Sequence, residues 1–127
     1  MSVDVSMMPS LDLSKATNLT HVVFRCGRST QWVTATIKTA KSKNLRRITV
    51  NSFATNMSSI EGAVYREWED LDHLLDQLWT SRSIRPRVIY RRGTGEGDGD
   101  LASRSLSKLT KRGVVDMVEY KRRSERR

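Results

Sequence analysis

Two histidines, His21 and His73, and one cysteine, Cys26, are the soft metal ligands of this chain. A zinc site needs such ligands clustered at short spacing. His21 and Cys26 lie five residues apart in one candidate strand, and an odd separation sends their side chains to opposite faces. No metal is therefore expected, and Cys26 reads as a small core residue. A nucleophile and base could be assembled from Ser14 or Ser29 with His21 or His73, but no elbow motif surrounds either serine. They read as surface serines and solvated histidines. Carboxylates crowd residues 61–76, on a helix whose other side is apolar. That reads as a solvated face rather than an acid–base pair. "GTGEGDGD" (93–100) has the glycine density of a phosphate loop. No Lys-Ser or Lys-Thr follows it, and its acids would repel phosphate. It also lacks the ligand ladder and twelfth-position Glu of a calcium loop. The expectation is a flexible Gly-rich loop over 91–100, no catalytic residue, no cofactor and no enzyme.

Basic residues carry more information. They gather in "KTAKSKNLRR" (38–47), "RSIRPRVIYRR" (82–92) and "KRRSERR" (121–127). The net charge of +9 is uneven: residues 1–60 carry net +6, residues 61–80 net −5 and residues 81–127 net +8. The acidic middle neutralises part of the basic remainder and weakens the field on an anionic partner. Tyr90 lies inside the second cluster, and aromatics among arginines can stack on bases while the arginines neutralise phosphate. A nucleic-acid reading would use Arg91, Arg92, Lys121, Arg122 and Arg123. No zinc-finger, basic-zipper or RNA-recognition signature accompanies them.

The elements that must position these residues follow from pattern. With 127 residues and 37% hydrophobic side chains, one domain is expected. A single cysteine excludes an internal disulfide framework. No stretch approaches the roughly 18 apolar residues of a membrane span. The opening "MSVDVSMMPS" lacks the basic end and apolar run of a signal peptide. The expectation is an intracellular protein, cytoplasmic or nuclear, with residues 1–10 an extension, 11–120 one domain and 121–127 a disordered basic tail. Strands are predicted at 19–26, 45–53, 87–90 and 114–120, the last with a short helix as the other option. Helices are predicted at 30–42, over the acidic segment 60–83, and at 101–112. Thr30 is the expected N-cap of the first and Asn44 its stop. Ser58 with Glu61 has capping-box spacing for the second. Its Val64, Trp68, Leu71, Leu75 and Leu78 step by four, three, four and three along one face.

Alternating strands and helices imply parallel strands joined by crossovers. One spacing recurs at the strands: Leu19-Val22-Phe24, Leu45-Ile48-Val50 and Val115-Val118-Tyr120. The remaining strand keeps Val88 and Tyr90, with Arg85 at its first position. This resembles leucine-rich repeats, whose units run roughly 20–29 residues with such spacing in the strand. More narrowly, "LDLSKATNLTHVVF", the following "W…LRRITV" and "REWEDLDHLLDQLW" resemble the leucine-rich-repeat region of fungal F-box-type proteins. The resemblance spans roughly residues 11–120 and does not include the F-box itself. It implies repeats that form a protein-recognition surface. The fold expected is a short repeat-like α/β solenoid of about four parallel strands, or else a small open α/β sheet domain. The function expected is a non-catalytic protein–protein recognition module, a truncated repeat fragment, or alternatively a basic nucleic-acid-associated protein. Thr20, Val23, Arg25, Arg46, Thr49 and Ile89 are candidates for an exposed face. Arg25, Arg46, Arg47 and Arg87 are the expected contacts to another, acidic protein, because arginine is enriched in interfaces and forks onto carboxylates. The oligomeric state does not follow from these patterns.

Overall fold

A computed structural model describes residues 2–6, 12–26, 30–52, 62–92 and 104–119. Their elements run β1 (Ser2–Ser6), β2 (His21–Cys26), α1 (Gln31–Thr39), β3 (Arg47–Ser52), α2 (Gly62–Arg82), β4 (Arg85–Arg92), α3 (Ser107–Lys111) and β5 (Val115–Glu119). The strands form one sheet in the order β1-β2-β3-β4-β5, and every neighbouring pair is parallel. The fold is therefore α/β with an open all-parallel sheet. It has five strands where four were expected. The extra one, β1, comes from the stretch expected to be an extension, and it aligns Ser2 with His21 and Ser6 with Arg25.

Side chains alternate across this sheet. In β2 the residues Val22, Phe24 and Cys26 are buried, while His21, Val23 and Arg25 are not. β3 repeats the pattern with Ile48, Val50 and Ser52 inside, and β4 with Pro86, Val88 and Tyr90. The inward set meets Val33 and Ile37 of α1, Trp68, Leu71 and Leu75 of α2, and Leu106 and Leu109 at α3, in one core cluster. All three helices thus cover the same face. Trp68 is completely buried and meets Tyr90 edge-on, with ring centroids 6.2 Å apart. Phe24 meets Trp32 in the same manner at 5.9 Å. Edge-to-face pairs suit the ring quadrupole and add to the burial of large apolar areas. Between β1 and β2, Leu13 and Leu19 enter the core from a described segment without a helix, and Ser42 Oγ donates to the Thr17 and Leu19 carbonyls at 2.9 and 2.7 Å.

The helix starts depart from expectation. Thr30 stands at the N-cap of α1, but its hydroxyl makes no capping bond. Instead Glu67 Oε1, from α2, accepts from the Thr30 and Gln31 amides at 3.1 and 3.0 Å. At α3 the N-cap is Leu106, which has no polar side chain to offer. Asp72, again from α2, accepts from the Lys108 and Leu109 amides at 3.1 and 2.9 Å. Part of the acidic helix expected to be a solvated face therefore caps its neighbours, where the exposed amides and the helix dipole favour a carboxylate. α1 also stops short of Asn44: it ends at Thr39, and the Ala40 amide closes on Ile37. The Ser58–Glu61 capping box, the glycine run 93–100, Leu101 and the 121–127 tail lie outside the described residues.

Pro86 sits inside β4, where a missing N–H would ordinarily break a ladder. Alternate amides of β4 point to opposite neighbours: Arg85 donates to Arg46 and Val88 to Val114. Pro86 shares the parity of Val88, so its nitrogen turns toward β5. That strand begins only opposite Val88. The absent donor would have found no acceptor in β5, so the proline does not weaken the sheet; α2 has already ended at Arg82, where Ser83 turns and the Ser83 and Ile84 amides close on Trp79 and Leu78.

Asp72 is 3% exposed, and burial pushes its carboxyl above the usual carboxylate range despite the two amide bonds that oppose the shift. A raised folded value means the native state holds its proton longer than the unfolded chain. The contribution of this group to stability therefore falls as pH rises from the ordinary value of 3.8 through the folded one. Asp72→Asn keeps an acceptor for one of the two α3 amides and removes the charge, so its stability relative to the parent should grow across that pH rise. Asp72→Ala should cost about 1–3 kcal/mol, because two amides lose their acceptor. Urea unfolding at pH 4 and pH 7 checks both; equal costs for Asn and Ala at pH 7 would contradict the capping role.

Candidate recognition face

The outward residues of the sheet form rows set by the strand register. His21, Arg47 and Arg85 stand side by side on β2, β3 and β4. Val23, Thr49 and Arg87 make the next row, and Arg25, Asn51, Ile89 and Asp116 the third. All are exposed or half-buried. Parallel sheets usually have both faces covered and read as continuous apolar runs. Here most of the alternate positions are polar or charged, which suits a face that none of the described helices covers.

Among the residues whose burial is described, four arginines lie on this face: Arg25, Arg47, Arg85 and Arg87. Three are among the expected contacts. Arg85 is not among them, because the strand predicted at 87–90 starts after it, whereas β4 begins at Arg85 itself. Arg46 is exposed but precedes β3 with the parity of the inward residues. It borders a hollow at the sheet rim with Arg47, Ser83 and Arg85. Thr20 likewise precedes β2 with inward parity, whereas Val23, Thr49 and Ile89 are outward. Arg91 and Arg92 close β4. Lys121, Arg122 and Arg123 lie outside the described residues.

Two features shape the charge of the face. Arg87 meets Asp116 across β4 and β5, with Nε and Nη2 at 2.8 and 2.7 Å from Oδ2. Both side chains remain well exposed, so this pair adds under about 1 kcal/mol to stability and chiefly neutralises Arg87 locally. His21 Nε2 and Thr49 Oγ1 stand 2.9 Å apart. Burial, and then the neighbouring Arg47 charge, hold the His21 imidazole below its ordinary value. His21, Arg47, Thr49, Arg85 and Asp116, with Trp79 from α2, line a half-open cleft of about 550 Å³ at the strand starts. Arg112 lies over Trp79, its guanidinium carbon 4.5 Å from the ring centroid, while Nε holds Asp76 at 2.6 Å. Trp79 at this rim also escapes the sequence reasoning, since helical periodicity says nothing of a neighbouring strand's edge.

Cys26 lies on the opposite side from His21, buried beside Ser52, and burial drives its thiol up to about 12. His73 is exposed on α2, bordering a separate hollow with Thr34, Lys38 and Asp70. Among the described residues, no group of three or more His, Cys, Asp or Glu side chains is placed to hold a metal ion. Nor is any described helix long and apolar enough to cross a membrane. No protein-family model matches this chain, and no curated protein or solved structure matches it.

The His21 environment is open to direct measurement. Its imidazole should titrate below 6.5 by NMR, and Arg47→Gln should raise that value only part of the way, because burial remains the larger cause. The unfolded chain takes up this proton first, so the stability from neutral His21 is lost as pH falls below 6.5. An unchanged titration in Arg47→Gln would place Arg47 elsewhere.

Proposed function

We propose that this chain is a non-catalytic protein-recognition module that binds an acidic partner on the uncovered face of its sheet. One observation carries the reading: a parallel sheet in sequential strand order has its helices on one face and leaves a ladder of arginines on the other. Solenoid proteins use such a strand face for binding, because each unit adds one strand and its outward side chains to a continuous surface. The leucine-rich-repeat-like assignment rests on the same sequential stacking and on strand-to-strand steps of 26 residues from His21 to Arg47 and 27 from Val88 to Val115. Arg25, Arg47 and Arg85 are the contacts we assign, and a carboxylate-bearing partner matches their geometry and charge.

A tagged pull-down from nuclease-treated lysate tests this. The double variant Arg25→Glu, Arg47→Glu should lose the proteins the parent captures, while Lys43→Glu, on an exposed turn off this face, should keep them. Both variants should melt cooperatively. Capture that persists in the double variant would show the wrong surface. Capture abolished by nuclease alone would favour the nucleic-acid reading.

A further inference from the structure

The first outward row places two arginines, Arg47 and Arg85, directly opposite each other on hydrogen-bonded strands. Neighbouring strands lie roughly 4.8 Å apart, and like charges held opposite one another in this way destabilise a sheet. Among the described residues, neither arginine has a carboxylate partner, whereas Arg87 in the next row has Asp116. Both side chains are exposed, so solvent and salt screen the repulsion, but no described carboxylate neutralises it. Proteins depart from such local rules chiefly at functional sites.

The surroundings state what that ligand would be. The cleft over Arg47 and Arg85 has about 550 Å³, a size suited to a small molecule. Trp79 and Pro86 line it and offer apolar contact, while His21 and Thr49 add polar atoms beside Arg47. Two guanidiniums, with Arg87 already neutralised by Asp116, leave two positive charges to balance. A single carboxylate would satisfy one arginine and leave the other. A phosphate monoester carries roughly two negative charges at pH 7 and three acceptor oxygens, and so engages both forks together.

We propose that the cleft bounded by His21, Arg47, Trp79 and Arg85 binds a small phosphate monoester, its phosphoryl group between the two arginines and its apolar body against Trp79 and Pro86. This site shares Arg47 and Arg85 with the proposed protein contact but stands on the cleft itself, whether or not a protein binds there. It needs no partner chain and occupies one end of the uncovered face.

Phenyl phosphate is the direct probe, with phenylacetate and inorganic phosphate as comparisons, all at matched ionic strength. Calorimetric titration should give saturable 1:1 binding of phenyl phosphate. Inorganic phosphate should compete for the site, and phenylacetate should bind at least ~tenfold more weakly. Arg47→Gln and Arg85→Gln should each lower affinity ~tenfold or more. Each should also melt at the same or a higher temperature than the parent, because removing one like charge relieves the repulsion. That combination separates lost binding from lost folding. Phosphate stabilises many proteins by exclusion from their surface, so an equal thermal shift in parent and variants would overturn the proposal. So would equal binding of phenylacetate, or the absence of saturable binding to a cooperatively folded parent.

Discussion

A twisted parallel strand feeds its chain back to a neighbour over one face of the sheet, with a fixed hand. When successive strands add on the same side, every crossover lands on the same face. That constraint organises the molecule. The order β1-β2-β3-β4-β5 never reverses, so α1, α2 and α3 gather on one side and share one core. The opposite side receives none of the described helices, and the strands answer with alternating rather than continuous apolar residues. The arginine rows are a consequence of topology as much as of composition.

Covering one face with three helices creates an electrostatic demand of its own. Each helix start leaves amides without intrahelical acceptors. α2 packs against the other two and meets that demand twice, through Glu67 toward α1 and Asp72 toward α3. Asp76 adds a third tie by holding Arg112, which stacks on Trp79. The acidic helix thus consumes part of its charge inside the fold. It does not lie over the outward arginines, so the segment charge of residues 61–80 quenches the uncovered face less than its magnitude suggests.

Much of this architecture was legible from local pattern. Val22 and Phe24, Ile48 and Val50, and Trp68, Leu71 and Leu75 with their three-four stepping are all buried where periodicity placed them. What pattern could not supply was long-range. Glu67 and Asp72 act on amides 36 or 37 residues away, and a carboxylate on a helix carries no local sign of that use. The last two occurrences of the repeat spacing slide: Val88 aligns with Val50 rather than Ile48, Arg85 aligns with Arg47 rather than with the leucine position, and Val115 in turn aligns with Val88. Ile84 takes the inward place expected near Arg85, after Ser83 turns with φ of 55°. β1 escapes notice because its Val3 and Val5 alternate over only five residues, too short to stand out from an extension. In the candidate site, residue type and strand parity suffice for Arg25, Arg47 and Arg87, whereas Arg85 and Trp79 need the register.

Thiol chemistry most directly reads whether one face of the sheet is covered and the other is not. Cys26, buried on the covered face with its thiol driven up to about 12, serves as the internal reference. Thr49→Cys places a second thiol on the outward face of the adjacent strand. Under native conditions the introduced thiol should react with a soluble disulfide reagent orders of magnitude faster than Cys26, which should react only as the protein unfolds. Equal protection of both thiols in the folded protein would mean that both faces are covered, leaving no open sheet face for a partner to bind.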